Sequence, residues 1–398
     1  MPRKLLVLGA SRYQLPVIRK AREMGLTVLT ADNAPSNPGH AEADLAFSCD
    51  TTDAEGIASL AASEAVSGII APSTDVALPA LALACSRLGL PGPGEEAATI
   101  LTRKASFRAL QRELGLPHPP FAAFSGPFWP KGLDPRCGPW AMKPNVSSGS
   151  KGVFMADGPE EFGRLAPETL RHSLDGTGVL EAWVKGTQHT CEGILHDGVP
   201  EGVMMTDRVT APPPWAATWG HFSPAIGLSP GLRMSLLSSL RTVFDRLELR
   251  QGTFDCDFVA PESGKSCIIL EATPRLGGNS LSSLYRTSMK ADIERYAVCH
   301  AVGLPQDFNP EAVPQDAGVM LFGVLSRGKL SFDREAAANL PKEPWVLSFE
   351  MDLPYGAQVE PFANGRCRVG EALITGDSPG TTRKLASIFR ARLDVKAV

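Results

Sequence analysis

The sequence predicts an α/β protein of two or three domains, the first a parallel α/β unit. Three observations carry this. The 398 residues, 43% of them hydrophobic, suffice for two or three cores. Apolar runs alternate with helical periodicity over the first 90 positions. Later, two runs rich in β-branched and aromatic residues, separated by a turn containing Gly264, form a hairpin carrying acids where a buried strand has none.

In order, the apolar run at 4–8 meets Gly9-Ala10-Ser11, and helical spacing through Val17, Ile18, Ala21 and Met24 stops at Gly25. Residues 27–31 make a second strand ending at Asp32. This β-α-β unit lacks the second and third glycines of a dinucleotide fingerprint, so a doubly wound domain without that cofactor is expected. Further apolar runs at 45–47 and 68–71 alternate with helices, one over 76–88, before Pro91-Gly92-Pro93-Gly94 breaks the chain. Asp32 and Ser73 to Asp75 would lie beyond the carboxyl ends of strands, where open parallel sheets gather ligands. An amphipathic helix runs from Leu101 to a Gly115 stop, 281–300 reads as one helix, and 318–398 holds short strands ending in a helix at 382–392.

The net charge of -4 gives no electrostatic footprint for nucleic acid, and no basic block marks an anionic membrane. No apolar stretch approaches membrane-spanning length, and the run after Met1-Pro2-Arg3-Lys4 is too short for a signal peptide. Eight cysteines stand singly without zinc spacing, as expected of reduced thiols in a cytoplasmic protein.

The chemistry concentrates in a few segments. With a side-chain period of two, Asp255 and Asp257 share one face of the first hairpin strand, and Glu271 ends the second beside them. Carboxylates gathered this way call for a hard cation, and magnesium suits an oxygen set that leaves positions for water and phosphate. Arg275, Gly277 and Gly278 follow and suit a phosphate. Lys143 leaves a strand into Ser147-Ser148-Gly149-Ser150-Lys151-Gly152, a turn able to supply a cation and backbone N–H groups to polyphosphate. Periodicity alone makes Lys104 a surface lysine, and His221 in Trp219-Gly220-His221-Phe222-Ser223-Pro224 a buried core histidine.

Asp257-Phe258, the hairpin, Glu271-Ala272-Thr273-Pro274-Arg275 and the glycine tail together resemble the metal-binding pattern of the ATP-grasp enzymes, in particular carboxylate-amine ligases such as L-amino acid ligases and D-alanine-D-alanine ligase-like enzymes. Thr273 stands where that family usually has Asn, and a hydroxyl can still ligate or hold a water. The resemblance implies an ATP-grasp architecture of two α+β sub-domains clasping ATP. It places an N-terminal domain at 1–100, the ATP-grasp domain at 101–305 with a lid at about 118–183, and a C-terminal sub-domain at 306–398. It assigns magnesium, or manganese, to Asp257, Glu271 and Thr273. ATP would be held by Lys104, Lys143, Ser148 and Ser150, by Glu181 and Val184 at the adenine hinge, and by Gln188 at the ribose, where the family has an acid. Arg275 would hold the acyl phosphate, and His221 would join the substrate pocket. The implied reaction is amide or peptide bond formation through an acyl phosphate on amino-acid-like substrates, with small-molecule carboxylate and amine as partners and a homodimer left open. Two other classes share these ATP residues: a carboxylating or formylating enzyme of nucleotide or biotin metabolism, and a non-catalytic nucleotide binder.

Overall fold

A computed structural model describes residues 2–149, 151–212, 217–262 and 264–398. The first domain is a parallel sheet in the order Leu45–Ser48, Thr27–Asp32, Lys4–Leu8, Gly68–Ile70. Leu5 to Leu8 are fully buried, as a parallel strand covered by helices on both faces requires. The chain reverses direction across the sheet at Lys4–Leu8, so the turns after Leu8 and Ile70 flank the crevice at the switch point. Gln14 Nε2 ties them by donating to the Pro72 carbonyl at 2.6 Å.

A small antiparallel sheet, in the order Phe121–Phe124, Gly178–Ala182, Trp140–Pro144, Phe154–Ala156, is backed by the helix Pro159–Arg171. Phe124, Trp140 and Phe162 form its core. The large sheet has eight antiparallel strands, in the order Ile268–Thr273, Gly252–Pro261, Gly186–His196, Val199–Thr210, Thr218–Ser223, Ala317–Phe322, Gly370–Thr375, Val346–Met351. The last three come from the segment expected to form the C-terminal sub-domain. They continue the hairpin's own sheet, because Ala317–Phe322 pairs with Thr218–Ser223.

Alternation along Gly252–Pro261 decides where the site lies. Phe254, Cys256 and Phe258 point into a core with Leu236, Leu240 and Phe244 of the helix Pro230–Arg246. Asp255 and Asp257 therefore take the opposite face. That helix is capped by Ser229, whose hydroxyl accepts from the Leu232 N–H, with Pro230 at the first helical position.

Two expected helices are each divided. The stretch from Leu101 ends one helix, Glu95–Thr102, and begins another, Lys104–Glu113, with Arg103 extended between them (ψ 107°). The Asn145 side chain accepts from the Ala105 N–H at 2.9 Å, so a cap supplied by a distant strand starts the second helix. The stretch 281–300 is likewise Leu281–Met289 and Ile293–Ala301, parted by Lys290 in the left-handed region. Ile293–Ala301 packs on the N-terminal domain so closely that a Cβ on Gly68 would lie 2.1 Å from the Ala301 carbonyl oxygen. Only glycine fits there.

Candidate active site

The hairpin register places Asp257 opposite Glu271 and Asp255 opposite Thr273, with a bulge just after Asp257 that re-aims the strand. The neighbouring strand adds Thr190 beside Asp257 and Glu192 beside Asp255. One face thus carries four carboxylates and two hydroxyls.

Each carboxylate is held differently. Asp257 accepts from Thr190 Oγ1 at 2.5 Å and from Arg208 Nη1 at 2.7 Å. Glu271 meets Lys104 Nζ at 2.8 Å and keeps 41% of its side chain exposed toward the cleft. Burial works to raise the Glu271 carboxyl, but Lys104, with Lys143 and Arg275 farther off, holds it below its ordinary value. Asp255 is pushed up to about 7, chiefly by burial against the pull of Arg275. Glu192 is pushed up to about 8 by burial and then by Asp255. Asp255 Oδ1 and Glu192 Oε2, on these register-paired residues, are buried and have no hydrogen-bond partner among the described residues. A proton retained here lowers the charge that burial makes costly.

Asp257, Glu271 and Thr273 offer only hard oxygens, with two carboxylates and no soft ligand, which fits magnesium bound jointly by protein and phosphate. Among the described residues no group of three or more histidines, cysteines or acids forms an all-protein metal cage. The bound ion would supply charge neutralisation to phosphate oxygens at this face.

Arg275 departs from expectation. Its Nε donates to Asp75 Oδ1 at 2.8 Å, its Nη2 also reaches Asp75, and its Nη1 donates to Asp255 Oδ2 at 2.9 Å and to the Leu276 carbonyl at 3.0 Å. The guanidinium lines the cleft, yet most of its donors clamp the N-terminal domain to the hairpin. The following turn is tight: a Cβ on Gly277 would lie 2.8 Å from Asp255 Oδ1, and the Gly277 N–H donates to Glu192 Oε1 at 2.6 Å.

Glu181 is also placed differently from a nucleotide-facing acid. It is 2% exposed, with Lys143 Nζ at 2.8 Å and Arg108 Nε at 3.0 Å. Burial alone would raise its carboxyl; Arg108 and Lys143 bring it down to about 2. Arg108 was missed in the sequence, although it lies one turn after Lys104 on the same helix face. It donates to Gln111 Oε1 and to the carbonyls of Ile269 and Leu270, joining helix, small sheet and hairpin.

These residues border a cleft of about 940 Å³. Asp255, Asp257, Glu271, Thr273, Arg275 and His221 line it, as do Ser147, Ser148, Gly149 and Lys151 of the covering turn. Ser150 lies outside the described residues. Lys104 lies behind Glu271, which lines the cleft, whereas Lys143 pairs with Glu181 and neither of these two is among the lining residues. Val184 and Gln188 are half-buried and not among the lining residues, though Gln188 shares the pleat face of Thr190 and Glu192.

His221 is 1% exposed, and burial, then Arg208, push its imidazole down to about 3. Thr206 has one hydroxyl hydrogen, donated to the Thr190 carbonyl at 3.1 Å. Its oxygen then accepts from His221 Nδ1–H at 3.2 Å, which leaves Nε2 a bare acceptor, buried and unpartnered.

No protein-family model matches the chain. It is 31% identical over 158 residues to a formate-dependent phosphoribosylglycinamide formyltransferase of Burkholderia lata, covering 37% of this chain and 38% of that enzyme. A Burkholderia cenocepacia protein of the same name is 30% identical over the same length. The chain thus spans well under half the length of the curated relatives it matches. Solved structures align over the whole chain. Phosphoribosylglycinamide synthetase from Anaerococcus prevotii superposes with a TM-score of 0.78 at 16% identity, covering 100% of each chain. L-amino acid ligase from Bacillus licheniformis superposes at 0.81 and 16%, covering 100% of this chain and 98% of that one. N5-carboxyaminoimidazole ribonucleotide synthetase from Thermotoga maritima reaches 0.71 at 15%, with full coverage of both. The parallel sheet, the small antiparallel sheet and the eight-stranded sheet, an acid-bearing hairpin under a Ser/Gly turn and whole-chain superposition on these enzymes establish that the chain has the ATP-grasp fold.

Proposed function

We propose that the chain is an ADP-forming carboxylate-amine ligase acting on amino-acid-like substrates. The observation that carries this is Asp257 facing Glu271 across the hairpin, with Lys104 on Glu271 and the Ser147–Gly149 turn on the same cleft. That is a bed for a polyphosphate, with the Lys104 cation behind it, beside an oxygen set for magnesium. A carboxylate oxygen attacks the γ-phosphorus of ATP, the bond to the bridging oxygen breaks, and ADP leaves. The amine lone pair then attacks the acyl carbon, and phosphate departs with the proton the amine loses. From behind the lining residues, Lys104 and Lys143 offset the charge of the transferring phosphoryl group. Asp257, Glu271 and Thr273 would hold the magnesium. His221, buried and neutral at pH 7, borders the substrate end of the cleft as an uncharged polar group. Arg275 contributes positive charge at the acyl end while bracing Asp75. The cysteines, all free, fit a cytoplasmic setting.

The partial match to the phosphoribosylglycinamide enzyme favours a second reading. In it the same machinery joins formate or bicarbonate to an aminoribonucleotide. Release of ADP over panels of amino acid pairs, and of formate or bicarbonate with aminoribonucleotides, separates the two. With an ¹⁸O-labelled carboxylate, the label should appear in the released phosphate. Label retained wholly in the product, or ATP binding without ADP from any pair, would sink the ligase reading.

A further inference from the structure

The cleft extends beyond the acid face to a wall made by three distant segments. The first turn of the N-terminal domain brings Arg12 and Tyr13, the covering turn brings Lys151, and the loop at 364–368 brings Arg366 and Arg368. The first and third of these touch: Tyr13 donates its hydroxyl hydrogen to the Gly365 carbonyl at 3.2 Å, and Arg368 lies over the Tyr13 ring at 5.2 Å. Arg12 and Arg368 converge on one buried carboxylate, Asp352, and Arg368 also pairs with Glu371. Lys151 and Arg366 differ. Among the described residues neither has a carboxylate partner, although Lys151 is half-buried. Burial and then Arg366 depress the Lys151 ammonium, as two cations facing one space must. The lining acid Asp32 is spent on the Ala10 N–H of the neighbouring turn and on Ala34 and Asn37 of its own loop, and Asp50 on the Thr52 N–H and hydroxyl.

Two uncompensated cations at a wall whose other charges are internally paired match a dianion better than a single carboxylate. A phosphate monoester, carrying about -1.5 to -2 at pH 7, neutralises both. We propose that Lys151 and Arg366, backed by Arg12 and Arg368, form a subsite for a phosphate monoester carried by one of the two substrates. This rests on the ligase reading and deepens it. The phosphate could belong to a phosphoamino acid or to a ribose 5-phosphate, and the chemistry recognised is the same.

The test uses the full-length protein loaded with magnesium and a non-hydrolysable ATP analogue, so that the nucleotide site is filled. Inorganic phosphate, O-phosphoserine, ribose 5-phosphate and acetate are titrated by calorimetry. The phosphate compounds are expected to bind and acetate not. Arg366→Ala should weaken phosphate binding about tenfold or more, the scale of one hydrogen bond between charged groups, with Arg366→Lys intermediate. Arg366 is exposed, so its loss should leave the unfolding midpoint without phosphate unchanged. Phosphate should also slow tryptic cleavage at Lys151 in wild type and not in Arg366→Ala. Equal phosphate affinity in wild type and Arg366→Ala, acetate binding as tightly as phosphate, or no binding of any anion would overturn the subsite. The tighter of phosphoserine and ribose 5-phosphate identifies the source. No step of this test needs turnover, so failure of ADP release would remove the ligase reading and leave the binding result standing.

Discussion

Asp257 and Glu271 are each neutralised within the protein, by Arg208 and Lys104, so the face stays folded before any cation arrives. Removing either charge takes a magnesium ligand from the phosphoryl-transfer step and leaves Arg208 or Lys104 short of a partner, at a smaller stability cost than at a more buried pair because Asp257 and Glu271 keep 25% and 41% of their side chains exposed. Asp257→Asn and Glu271→Gln are each expected to lower ADP release by about 10²-fold or more, the scale of lost transition-state charge stabilisation. Steady-state rates beside unfolding midpoints check this; wild-type turnover in either variant would contradict it. His221 permits a pH prediction. Its folded-state pKa of about 3 lies below the ordinary 6.5, so the unfolded chain binds more protons between those values. The associated stability is fully present above pH 6.5 and is lost as pH falls toward 3. His221→Gln, which does not titrate, should flatten that loss, by at most about 1.4 kcal/mol per pH unit. Urea unfolding at several pH values between 4 and 7 reads it, and parallel curves for variant and wild type would place the loss on other groups.

The hairpin is an element with two jobs, one per face. Its odd acids serve the cleft while Phe254 and Phe258 anchor the core. Its continuation through Arg275 is a clamp between domains, because Asp75 belongs to the parallel sheet's loop and Asp255 to the hairpin. Breaking a buried ion pair from one side costs more than the pair contributes, since the partner stays behind as an unpaired charge. Arg275→Ala is therefore expected to cost about 3 kcal/mol of stability, and less in an Asp75→Asn background. Denaturant titration of the four proteins of that cycle isolates the coupling, and strict additivity would show that Arg275 and Asp75 do not act together. The Glu181 triad has the same logic: Lys143→Ala leaves Glu181 with Arg108 alone, so nucleotide affinity should fall while the small sheet stays folded. Calorimetry with the ATP analogue and circular dichroism measure the two separately.

At the scale of the whole molecule, one cleft is shared by the parallel domain, the covering turn of the small sheet and the eight-stranded sheet. A ligand seated there stabilises all three together. Magnesium with an ATP analogue at about 100 times its dissociation constant should add about 2.7 kcal/mol to unfolding, visible as a higher midpoint of the entire calorimetric transition. The Asp257→Asn protein should lose the magnesium-dependent part of that shift. A shift confined to one portion of the transition would mean that the nucleotide touches only one of the three bodies.

Local chemistry determined much of this protein in the sequence alone. The β-α-β opening, the hairpin with acids on one face and the Lys143 turn are legible because side-chain period and turn residues act over a few positions. The same period also separates Asp255 and Asp257 from Phe254 and Phe258 without any partner strand. Tertiary structure alone decided which charges meet. Arg275 was legible as a phosphate ligand, but Asp75, 200 positions away, takes its Nε hydrogen bond. Glu181 was legible as a strand acid near the adenine hinge, yet Arg108 and Lys143 enclose it. Asn145 divided a predicted helix by capping Lys104–Glu113 from another strand. Each depends on side chains far apart in the chain reaching the same few ångströms, where burial strengthens every charge, and no spacing along the sequence encodes that meeting.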